Sequence, residues 1–208
     1  MHQTVGVRWN DLFDDLAGQF DAEHERARRL EAVEDERLRV ARTTLRQRLA
    51  ALQATLEPGE CIDLELLSGD RLRAEPIEFG AEWFFARLPS VAGHYASVLV
   101  PLAGMGSVIL TRSQLDRSLA PRPEAPESLT ARLGFVMPLR DLARRRVHCE
   151  LTTTLGVLRG TIDLVARDHL DLAVHDLDTP RRTPDVAAFR VVPLHEIRLV
   201  RVAGDVAN

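Results

Sequence analysis

The stretch Gly160-Thr161-Ile162-Asp163-Leu164-Val165-Ala166-Arg167-Asp168-His169-Leu170-Asp171-Leu172 decides the fold class. It opens on a glycine, where a strongly bent strand needs a small residue. It lies in a strand-like section running from Val147 to Val202. A second section, from Gly59 to Leu119, has the same character. Its alternating runs are Cys61-Ile62-Asp63-Leu64-Glu65-Leu66, Arg71-Leu72-Arg73-Ala74, Trp83-Phe84-Phe85-Ala86-Arg87-Leu88 and Ser97-Val98-Leu99-Val100-Pro101-Leu102. Ser68-Gly69-Asp70 marks a tight turn between two of them. Short strands separated by turn signals predict small all-β units.

The two sections read as copies. Glu65-Leu66 matches Glu150-Leu151, and Leu72-Arg73-Ala74 matches Leu158-Arg159-Gly160. Glu82-Trp83 falls opposite Asp168-His169. Val100-Pro101-Leu102 matches Val192-Pro193-Leu194, and Met105 and Val108 match Ile197 and Val200. Small five-stranded barrels remove exposed edges by curling a short sheet on itself, so two tandem small barrels are expected.

The remainder is helical or linking. Asn10 is a plausible N-cap for a helix carrying Trp9, Leu12, Phe13, Leu16 and Phe20 at helical spacing. Asp21 can cap a second helix from Ala22 to about Leu56, giving a long helix or helical hairpin. Leu45, Leu49, Leu52 and Leu56 form a 4-3-4 stripe on it. Three prolines between Ala120 and Ser128 make a semi-rigid spacer. A short helix is expected between Leu133 and Arg146. The predicted architecture is therefore α+β and mainly β. It comprises an N-terminal helical arm (1–57), a first small barrel (58–119), a Pro-rich linker (120–128), and a second small barrel with a leading short helix (129–208).

The segment Gly160–Leu172, with Val191-Val192-Pro193-Leu194-His195-Glu196-Ile197, resembles the SH3-like barrels of the Sm-like superfamily. The whole chain resembles a family of uncharacterised proteins from GC-rich bacteria, built of an N-terminal helical arm and tandem barrels of this kind. The resemblance implies the fold but not the RNA site. The two base-contacting positions of Sm proteins fall on Ala166 and Leu170, and in the first section on Gly80 and Phe84. Arg201 fits the arginine of the final Sm strand, but Val202 stands where the glycine belongs.

The chain has 208 residues and no lysine, so all 27 basic residues are arginine. An arginine cluster is therefore weak evidence of a nucleic-acid site. Net charge is -2 over residues 1–57, -3 over 58–120 and +1 over 121–208. No section has the basic excess that counterion-release binding needs. Lysine-dependent chemistry is excluded outright. No Walker, G-x-S-x-G or G-x-G-x-x-G element is present, and an enzyme is not expected. His148-Cys149, His169, His175 and His195 lack metal-ligand spacing, so neither metal nor cofactor is expected. Two cysteines, no secretory signal and no apolar run of membrane length suggest the cytoplasm.

The expected function is a non-catalytic protein-interaction or adaptor role. Trp9, Phe13, Leu16 and Phe20 are the candidate contact face, for another protein or for self-association through the N-terminal helices. The alternative is a nucleic-acid-associated regulator using Arg140, Arg144, Arg145 and Arg146. A third possibility is a small ligand held between the barrels.

Overall fold

The computed structural model describes residues 6–89, 96–121, 128–176 and 186–202, with backbone alone for 6–12, 14 and 15. The chain divides into two units, Met1–Thr44 and Leu45–Asn208.

The first unit is one helix, α1, Gly6–Arg42. At 1.5 Å per residue it is about 55 Å long. It passes through Asp21 without a break, so Asp21 does not cap a second helix. A single interior glycine such as Gly18 costs only about 1 kcal/mol, too little to end a helix this long. Its polar flank is laced by Arg29–Glu25, Arg37–Glu34 and Arg39–Glu36 pairs. The helix stops at Thr43-Thr44. There the Thr43 hydroxyl donates back to the Arg39 carbonyl at 2.9 Å, a contact that competes with the helical ladder.

The second unit starts with α2, Leu45–Gln53, whose Leu49 and Leu52 are buried. Residues 45–57 thus belong with the sheet rather than with the arm. Five strands follow: β1 Ile62–Leu66, β2 Arg71–Phe79, β3 Trp83–Leu88, β4 Ala96–Pro101 and β5 Met105–Ile109. A single 3-10 turn, Leu102–Gly104, separates the last two. Helix α3, Arg112–Leu119, is opened by a capping box in which the Thr111 hydroxyl accepts from the Gln114 amide. After α4, Val136–Arg145, come β6 His148–Thr153, β7 Gly156–Val165, β8 His169–Val174, β9 Ala188–Pro193 and β10 Ile197–Val202. A 3-10 turn, Leu194–Glu196, precedes β10.

All ten strands make one antiparallel sheet in the order β5-β1-β2-β3-β4-β10-β6-β7-β8-β9. The sheet is not closed into a barrel, and the expected pair of closed barrels is corrected to this open order. The reason lies at β4. Its second edge is taken by β10, with Leu99 opposite Val200, Val98 opposite Arg201 and Ser97 opposite Val202. With that edge occupied, β5 cannot close on β4.

Both five-strand runs pair in the same internal order. Leu64 lies opposite Leu72 and Val108, and Leu151 lies opposite Leu158 and Val200. This register sets Leu64 against Leu151, so the sequence match of Glu65-Leu66 with Glu150-Leu151 is two residues out. Bulges interrupt β2 between Pro76 and Glu78, and β7 between Ile162 and Leu164. Gly160 of β7 has φ 157°, and a Cβ there would meet the Ala173 carbonyl oxygen at 2.0 Å. Only glycine allows that approach.

Two apolar clusters lie on the sheet, and each borrows from the other run. One holds Leu139, Leu151, Ile162, Leu170 and Val200 together with Trp83 and Leu99 from β3 and β4. The other holds Leu49, Leu52, Leu64, Phe84 and Val98 together with Leu199 from β10. A fully buried side chain of this size is worth about 1.5–3 kcal/mol, so these exchanged residues fasten the two runs to each other.

Candidate interaction surfaces

On α1, Phe13 is 63% exposed, Leu16 41% and Phe20 60%. They fall at i, i+3 and i+7 and so share one side of the helix. The side chain of Trp9 lies outside the described residues. Further along, Leu30, Val33 and Leu38 are also exposed.

The arginines of α4 are largely engaged. Asp141 lies one turn before Arg144 and Arg145 and pairs with both, at 2.7 and 2.9 Å. These guanidiniums hold the Asp141 carboxyl below its ordinary range. Arg140 donates to the Val165 carbonyl at 3.3 Å. Arg146 caps the helix in the left-handed region (φ 53°), its N–H donating to the Leu142 and Ala143 carbonyls. The patch sets four arginines against one carboxylate, so it keeps a net positive charge, on the helix end where the dipole favours it.

The histidines are placed in local pairs. The Nε2 of His175 shares a hydrogen bond with the Thr161 hydroxyl at 2.8 Å, and its Nδ1 approaches the Asp176 carbonyl at 3.0 Å. His148 meets the same ring edge-on, with centroids 5.0 Å apart. His169 pairs with Asp168 and His195 with Glu196, both on the exterior. Among the described residues no group of three His, Cys, Asp or Glu side chains could hold a metal. Cys149 is fully buried, which pushes its thiol up to about 12, while Cys61 is partly exposed.

Two surfaces escaped the sequence reading. One is a groove of about 440 Å³ beside β5, walled by Leu45 and Leu49 of α2, Val108 and Leu110, and Leu115 of α3. The other is β9, where Phe189 is 65% and Val191 68% exposed. The second was legible in outline, because Phe189-Arg190-Val191 aligns with Ser97-Val98-Leu99 through the shared Val-Pro-Leu.

Comparison with family models, with curated proteins and with solved structures returns no match. Among the described residues no helix is long and apolar enough to cross a membrane.

Proposed function

We propose that this chain is a non-catalytic interaction protein in which α1 is the partner-binding arm. The sheet unit is, on this reading, a tandem of two five-strand units of Sm-like strand order, joined in one open sheet and carried as a scaffold. The observation that carries the proposal is α1 itself, a 37-residue helix forming its own unit with Phe13, Leu16 and Phe20 exposed on one side. An amphipathic helix of this kind binds by laying its apolar side chains in a groove of another protein. The tandem reading is supported by the identical pairing order and the matching bulges of the two five-strand runs.

The nucleic-acid alternative would draw on the α4 patch, where Arg144 and Arg145 share the single carboxylate of Asp141. A native pull-down with the full chain tests the proposal against the triple variant Phe13→Glu, Leu16→Glu, Phe20→Glu. A stoichiometric partner captured by the natural chain should be lost from the variant. Retention of every partner sinks the arm as the binding element. Tight, steeply salt-dependent binding of RNA or DNA, abolished by replacing Arg140, Arg144, Arg145 and Arg146 with Ala, would install the alternative instead.

A further inference from the structure

Helix α1 keeps a count of three and four well beyond its aromatic end. Phe13, Leu16, Phe20, Glu23, Ala27 and Leu30 follow one another at steps of three and four, and all six are exposed. Phe13, Phe20 and Ala27 are then the a positions of a heptad, and Leu16, Glu23 and Leu30 are its d positions. Trp9 falls one step earlier in the same count, so the pattern runs through three heptads of one unbroken helix. A repeat of that length specifies a coiled coil.

The charges of α1 are sorted by the same heptad. The Arg29–Glu25 and Arg39–Glu36 pairs occupy c and f positions, on the side of the helix away from the seam. The Arg37–Glu34 pair takes the a and d steps after Leu30 and ends the apolar seam. Flanking the seam are Gln19, Arg26 and Val33 at g, and His24, Glu31 and Leu38 at e. Among the described residues Arg26 and Glu31 take part in no ion pair. They carry opposite charges on opposite flanks, and such flanking charges set the orientation of paired helices. In two parallel helices in register, a g residue meets the e residue five positions on in the other helix. Arg26 then meets Glu31, and the exposed Val33 meets the exposed Leu38, twice each. Antiparallel helices set g against g and e against e, and Arg26 never meets Glu31.

We propose that α1 pairs with α1 of a second copy as a parallel, in-register, two-stranded coiled coil. The inference rests on the reading of α1 as the partner-binding arm and names its occupant. Complementary charge on the two flanks is what selects a second copy. Glu23 is the polar step of the seam. One polar seam position fixes register at a cost in stability, and two Glu23 carboxylates meeting in one layer repel. The pair is therefore weaker than a wholly apolar seam would make it.

Sedimentation of the full chain over a range of concentrations should pass from the mass of one chain to that of two. The seam is exposed in the single chain, so replacing its residues leaves that chain's own stability unchanged and moves only the mass. Phe20→Glu should return the single-chain mass, and Glu23→Leu should tighten the dimer. Arg26→Glu should weaken it severalfold, and adding Glu31→Arg to that variant should restore it. Orientation is read by mild oxidation in a Cys61→Ser background. Ala27→Cys, at an a position, should form a disulfide dimer, and Gly18→Cys, at an f position, should not. A single-chain mass at every concentration overturns the proposal. If the arm of such a chain still captures another protein, the interaction reading stands and only the second copy is removed as its occupant. A two-chain mass that survives Phe20→Glu also overturns it, by placing the contact away from α1.

Discussion

Gly160 in β7 and Arg146 at the end of α4 both have positive φ, and they respond oppositely to substitution. At Gly160 a methyl group would collide with the Ala173 carbonyl oxygen. Gly160→Ala should cost ~2 kcal/mol or more, seen as a lowered denaturant midpoint. Arg146 adopts a left-handed conformation that a side chain disfavours by roughly 1–2 kcal/mol. Arg146→Gly should therefore stabilise by about 1 kcal/mol, and a lower midpoint would show that the arginine side chain contributes more than its backbone costs. The thiols make a third test. Burial of Cys149 with its raised pKa leaves it unreactive. A thiol reagent at neutral pH should titrate one group, Cys61, in the folded chain and two after unfolding.

Among the elements, α1 and α2 looked alike in sequence but have different duties. Leu49→Ala or Leu52→Ala empties a buried site and should cost roughly 2–5 kcal/mol. Leu30→Ala on exposed α1 should change stability by no more than about 0.5 kcal/mol. Helix α3 is held by Glu60, which accepts from Arg117 and from the Gln114 side chain. Hydrogen bonding from Arg117, then from the Glu57 amide, brings the Glu60 carboxyl from 4.5 down to about 2. A carboxyl with a depressed folded-state pKa stabilises the fold above its unfolded value. That contribution drains away as pH falls from about 4.5 towards about 2. Thermal melts across this window should fall less steeply for Glu60→Gln than for the natural chain, and equal slopes would remove Glu60 from the acid response.

The α3 helix was readable in principle, since Thr111-Arg112-Ser113-Gln114 is a capping box. Its exposed, weakly apolar surface hid it from a reading based on hydrophobic period. Strand positions were legible for the opposite reason, because half-burial writes the two faces of a strand into alternate residues. Alternation does not record which edge is paired. It did carry one overlooked sign. Trp83-Phe84-Phe85-Ala86 and Val98-Leu99-Val100 are apolar without interruption, as strands buried on both faces are. His169-Leu170-Asp171-Leu172 alternates, and β8 accordingly buries Leu170 and Leu172 while His169 and Asp171 remain partly exposed. The candidate residues of α1 were legible as an apolar face. Their exposure was not, because the same spacing serves a core helix.

Over the whole molecule, the exchange of Trp83, Leu99 and Leu199 between clusters should make the sheet unit unfold as one body. Calorimetry should show a single transition for residues 45–208, without a separate step for either five-strand run. Two resolved steps would mean that the exchanged residues add little to cooperativity. Leu99→Ala should lower that one transition by the full cost of a core truncation, roughly 2–5 kcal/mol.

The β4–β10 junction also fixes an order of events on the ribosome. Residues 96–101 are synthesised roughly a hundred positions before their partner at 197–202. At about 5–20 residues per second, Trp83, Phe85 and Leu99 wait several seconds with no strand to cover them. The nascent chain therefore passes through an adhesive stage that the finished protein never shows, and its yield in a cell depends on whatever shields those three side chains until β10 emerges.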